Sequence, residues 1–219
     1  MHIAIIGSDD KNQYDMSLII AKRDTSKEED KKGGFSFEFD FGKLFENSDE
    51  DTTKKWQKPK YDKNEVDFGR LHSALNWSPD GQKLAYAKYR YGKNGSMIWD
   101  LKMYDAESEK SEWITDNLRA AHPAWTPDGE HIIFATHEKS TANLFKMSVS
   151  EKTPKQLTFF SGEVSVFNPA VSPDGSQVVF SFSGEDGNTD LYLLEFSSGE
   201  SSRLTTSPAV DYLPVWSPD

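Results

Sequence analysis

The chain has 219 residues, with 36 Asp and Glu against 25 Lys and Arg, a net charge of −11, 13% aromatic residues and no cysteine. That balance excludes a nucleic-acid binder or an anionic-membrane binder, since both need basic patches that displace counterions. The missing cysteines exclude disulfide frameworks, thiolate metal sites and cysteine nucleophiles.

In chain order, His2 to Ile6 and Asp15 to Ile20 read as two strands around the loop Gly7 to Tyr14, and the apolar run Ile3 to Ile6 is too short for a signal segment or a membrane span. The next stretch, Lys22 to Arg70, carries 12 basic and 13 acidic residues in 49 and reads as a solvated insertion or linker. Within it Phe35, Phe37, Phe39 and Phe41 alternate with polar residues, the period of a strand at 35–41: an outer strand of a first sheet, a hairpin inside the insertion, or an exposed patch for a partner.

From Leu71 onward the sequence repeats. Trp77-Ser78-Pro79-Asp80-Gly81 returns as Trp125-Thr126-Pro127-Asp128-Gly129, as Val171-Ser172-Pro173-Asp174-Gly175 and as Trp216-Ser217-Pro218-Asp219, at spacings of 48, 46 and 45. Each full copy is followed by an apolar run (Leu84 to Tyr86, Ile132 to Phe134, Val178 to Phe180). A loop then leads to a second run opening at Asp100, Asn143 or Asp190, and a short third run closes on Ile114-Thr115, Leu157-Thr158 or Leu204-Thr205. Pro presets a type I turn, Asp bonds the local backbone and Gly takes the positive φ, so the motif predicts a tight hairpin between the first two strands of every unit. The Trp before it suits packing between sheets, and Val171 in its place reads as a demand for bulk rather than indole chemistry. Four short strands recurring every ~45 residues predict an all-β fold, a β-propeller of four-stranded antiparallel blades.

The Trp-Ser-Pro-Asp-Gly repeat resembles that of the TolB-type, WD-like propeller family. The resemblance implies a non-catalytic module for protein binding or scaffolding in the bacterial cell envelope. Similar propellers also serve prolyl oligopeptidase-like and tricorn-like serine peptidases as accessory domains, which is the alternative. The expected division is 1–21 as a partial first blade, 22–70 as the charged insertion, and 71–219 as three complete blades plus the first strand of the next. Such an incomplete ring is expected of a piece of a longer protein; in a four-bladed ring, Leu213 to Trp216 would instead pair with His2 to Ile6.

For chemistry, the sequence contains no Gly-x-Ser-x-Gly elbow, His-Glu-x-x-His helix or phosphate-binding glycine loop, so no catalytic, metal or cofactor site is expected. His2, His72, His122, His131 and His137 never fall at metal-ligand spacing and read as ordinary strand or loop residues. Asp186 to Asp190 imitates the opening of a calcium loop but lacks its distal ligands, and reads as a hairpin loop. The expected partner is a protein or peptide, met by the variable loops opposite the Pro-Asp-Gly turns. Arg90, Tyr91, Lys93, Arg119, Phe159, Phe160, Asp211 and Tyr212 are the candidate contacts, because aromatics and Arg dominate binding hot spots.

Overall fold

Each Pro-Asp-Gly turn is built by the same few bonds. The hydroxyls of Ser78, Thr126 and Ser172 donate to the carboxylates of Asp80, Asp128 and Asp174 at 2.5, 2.5 and 2.6 Å. The amides of Gly81, Gly129 and Gly175 close back onto the carbonyls of those hydroxyl residues at 2.8–2.9 Å. The three glycines hold φ between 69° and 72°, the left-handed region that favours a residue without a Cβ. Bonds from the Ser172 hydroxyl and the Ser176 amide hold the Asp174 carboxyl down at about 2. Successive turns also touch: a Cβ added to Gly175 would lie 3.5 Å from the ring of Pro127.

The computed structural model describes residues 2–8, 16–23, 61–68 and 71–217. The chain is all-β there, with fifteen strands in four antiparallel sheets. The first sheet has the order β1 (His2–Ser8), β2 (Met16–Arg23), β3 (Tyr61–Phe68). The second runs β4 (Asn76–Trp77), β5 (Lys83–Tyr91), β6 (Met97–Asp105), β7 (Lys110–Trp113). The third runs β8 (Ala120–Trp125), β9 (His131–Glu138), β10 (Thr141–Ser148), β11 (Pro154–Gln156), and the fourth β12 (Ser165–Val171), β13 (Gln177–Ser183), β14 (Thr189–Glu195), β15 (Ser201–Arg203). These are propeller blades in an unclosed arrangement: among the described residues β1 pairs with β2 alone, and residues 211–217 join no ladder.

The outer strand of the first sheet comes from within the charged stretch 22–70, since Tyr61–Phe68 pairs with β2. The 35–41 strand reading lies outside the described residues.

Strand alternation explains why the apolar runs are unbroken. On β9, Ile132 and Phe134 pack toward the second sheet with Ala85, Leu101, Met103 and Trp125, while Ile133 and Ala135 pack toward the fourth with Val166, Val178 and Phe180. A strand sandwiched between two sheets must be apolar at odd and even positions alike. The first sheet is tied on differently. Asp67 of β3 accepts from the buried Tyr86 hydroxyl at 2.8 Å, from Lys102 Nζ at 2.7 Å and from Lys88 Nζ. Burial pushes the Asp67 carboxyl up, but the bonds from Lys102, Lys88 and Tyr86 outweigh it and leave it lowered.

The structure corrects one sequence expectation. The Trp of the repeat does use its indole: Trp125 Nε1 donates to the Asn76 carbonyl at 3.0 Å, and Trp216 Nε1 to the Ala170 carbonyl at 2.8 Å. Both bonds run to the residue just before the Trp or Val of the preceding repeat. Val171 supplies bulk without this donor, so the seam between the third and fourth sheets lacks a bond that the flanking seams have.

Candidate functional site

The loop end of the sheets, opposite the Pro-Asp-Gly turns, is anchored by a second recurring lock. Asp100, fully buried, accepts from Thr115 Oγ1 at 3.0 Å and from the amides of Asn117 and Leu118 at 2.7 and 3.0 Å, while Thr115 Oγ1 accepts from the Leu101 amide at 2.8 Å. Asn143 and Thr158 repeat the arrangement in the third sheet, with the Phe160 amide as the loop donor. In the fourth, Asp190 takes Thr205 at 3.4 Å and Arg203 at 2.6 Å. Each lock fixes where the chain leaves its sheet, so loops of different sequence start from one geometry.

On this base the predicted residues fall into three groups. Arg90 and Lys93 converge on Asp116, at 3.4 and 2.7 Å, and the Arg90 guanidinium also lies 4.8 Å from the Trp113 ring. The bond from Lys93 holds the Asp116 carboxyl below its usual range, and the Arg90 charge adds to this. Tyr91, at 73% exposure, projects beside them. Phe159 and Tyr212 are exposed on their own loops, whereas Phe160 turns inward against Phe182 and Phe180 and joins the core between the third and fourth sheets. Asp211 is held by its amide on the Thr189 carbonyl at 2.9 Å.

Arg119 belongs to a third group that sequence reasoning missed. Its guanidinium lies 5.9 Å from the Trp99 ring, which stacks on His72 at 4.2 Å and meets His137 edge-on at 5.8 Å. His72 bonds the Tyr89 hydroxyl at 2.9 Å, and its ring lies 6.3 Å from that of His122. The signal that escaped notice is a proline two residues before the Trp or Val. His122-Pro123, Asn168-Pro169 and Leu213-Pro214 all place the first residue at φ between 51° and 57°. In β8 and β12 that residue sits in a register shift of the ladder, and a bulge re-aims a side chain out of the sheet. A groove of about 440 Å³ runs along these segments, lined by His122, Trp125, Asn168, Val171, Pro214 and Trp216 among others.

Two clusters of oxygen and nitrogen ligands lie elsewhere on the surface. Asp186 Oδ1 accepts the Asn188 amide at 3.2 Å within the β13–β14 loop, as a hairpin loop requires. Asp128, Glu130 and His131 bring one ligand atom each within 4.8 Å of one another at a solvent-facing turn, where Asp128 Oδ1 already accepts from Thr126 and from the Glu130 amide.

No family model matches the chain. A Tol-Pal system protein TolB of Anaeromyxobacter dehalogenans is 29% identical over 126 residues, covering 57% of this chain and 28% of that protein. The chain therefore aligns with well under a third of that relative's length. The crystal structure of TolB from Acinetobacter baumannii superposes with a TM-score of 0.58 at 24% identity over 74% of this chain and 38% of that one. A putative TolB from Agrobacterium tumefaciens gives 0.53 at 19% identity over 72% and 70%. The repeated turns, the stacked four-stranded sheets and these likenesses together show a β-propeller fold similar to that of the TolB proteins.

Proposed function

We propose that the chain is a non-catalytic, TolB-like propeller module that binds a protein partner in the bacterial cell envelope through the loop end of its sheets. The observation that carries this reading is the contrast between rigid base and varied surface. Asp100, Asn143 and Asp190 lock the loop origins of three sheets, and the same end presents Tyr91, Phe159 and Tyr212 to solvent, with the cations Arg90 and Lys93 close to Tyr91. Large exposed aromatics on a rigid frame supply contact area at low entropic cost. The relative's name assigns it to a Tol-Pal system, and by that likeness the partner is a Pal-type envelope protein. Among the described residues no helix is long and apolar enough to cross a membrane.

Titration calorimetry with the purified Pal-type protein of the same organism tests the reading. Tyr91→Ala and Phe159→Ala are each expected to weaken binding about tenfold, a loss of about 1.4 kcal/mol, while Glu130→Ala at the turn end leaves it unchanged. No measurable binding, or equal losses at the two ends, overturns the assignment.

A further inference from the structure

Three sheets meet at one histidine. His122, on β8 of the third sheet, has its amide bonded to Ser73 Oγ at 3.0 Å, and its ring faces His72, both from the segment leading into the second sheet. On its other side it meets Phe167 of the fourth sheet at 6.1 Å. His137 at the end of β9 closes the group against Trp99. The Nδ1 atoms of His122 and His137 and the Trp99 indole nitrogen are buried without a hydrogen-bond partner.

The geometry points to an acid-operated latch: His122 and His137, neutral when the three sheets are closed, take up protons as pH falls from neutrality toward 5 and loosen the seams at the loop end while the sheets themselves persist. The charged and titratable groups facing them have the wrong sign or none. Arg119 comes from the β7–β8 connection, His72 from the segment before β4, Tyr89 from β5 and His137 from β9, while Trp99 of β6 and Phe167 and Asn168 of β12 carry no charge. Among the described residues no carboxylate forms an ion pair with His122 or His137. A charge on either half-buried ring would sit near the exposed Arg119 with no counter-charge facing it.

Titration agrees in direction. Burial, then the nearby His72, lowers His122 to about 4, with Asn168 pulling the other way. Burial, then the charge of Arg119, lowers His137. A depressed histidine stabilises the fold fully above its unfolded value of 6.5 and loses that contribution as pH falls toward the folded value. The shifted carboxylates act in another window: Asp67, Asp80, Asp105, Asp116, Asp128 and Asp174 are all lowered from 3.8, so their contributions fade only below about pH 4.

The test compares the wild-type chain with His122→Asn and His137→Gln. Asn168 already occupies the position equivalent to His122 at nearly the same φ, 51° against 54°, so asparagine fits the backbone. For the wild type, the unfolding constant from urea titration is expected to rise by up to about tenfold per pH unit below 6.5 for each latch histidine, and each variant is expected to flatten that slope. Amide exchange, corrected for intrinsic rates, is expected to lose protection at 119–122 and 166–168 at pH 5.0 while Ile133 and Leu144 keep theirs. Parallel slopes in wild type and whichever variant folds, or a uniform loss of protection, overturn the latch.

Discussion

The two ends of the sheets are built by opposite rules. At the turn end, Ser78, Thr126 and Ser172 with their Asp and Gly partners repeat the same bonds within a few tenths of an ångström. At the loop end a recurring lock underlies loops that differ: a carboxylate serves in two sheets and an amide in the third, and the β5–β6 and β13–β14 loops turn on Gly92–Gly95 and Gly184–Gly187 while the β9–β10 loop has no glycine. Repetition at the turn end meets a mechanical requirement, and the more varied loop end is the one to which binding is assigned in the proposed function.

The sharpest test of that contrast is the buried lock. Asp100→Ala leaves the Thr115 hydroxyl and the Asn117 and Leu118 amides without their acceptor, and is expected to cost about 3 to 4 kcal/mol. Asp100→Asn reproduces what Asn143 already does and is expected to cost under about 1 kcal/mol. Urea midpoints decide, and equal losses for the two would show that charge rather than hydrogen bonding holds the loop.

At the other end, Gly129→Val forces a β-branched residue to φ 70°, with an expected cost of about 1 to 3 kcal/mol. The nearest atom to its Cβ is Pro79 Cδ at 3.8 Å, so backbone strain and not collision is the cause. An unchanged midpoint would remove the mechanical reading of the turn. Smallest is Trp125→Phe, which keeps the ring and loses the bond to the Asn76 carbonyl, for about 1 kcal/mol plus a small packing change. A negligible effect would return the site to the reading that bulk alone matters.

Much of this architecture was legible in the residues. The spacing of Trp77, Trp125, Val171 and Trp216 marked the units, and Pro-Asp-Gly marked the hairpins, because a tight turn is specified by three or four adjacent residues. Double-sided burial of the strands was legible as well, since a run such as Ile132 to Phe134 has no polar position to face water. Even the loop lock left a trace in the recurring Asp or Asn and Ile-Thr or Leu-Thr pairs, although its purpose did not show.

Other features needed the chain to come together. The pairing of Tyr61–Phe68 with β2 spans a long charged stretch, and local sequence carries no record of which strand closes a distant ladder. Asp67 reads as one more charge in that stretch until Tyr86, Lys88 and Lys102 surround it. His72, His122 and His137, scattered over 66 residues, become neighbours only when three sheets stack. The recurring turns and double-faced strands were thus written locally, since turn geometry and strand alternation act over a few residues. Which distant side chains share an environment depended instead on the assembled stack, because burial and proximity between sheets exist only once the sheets have packed.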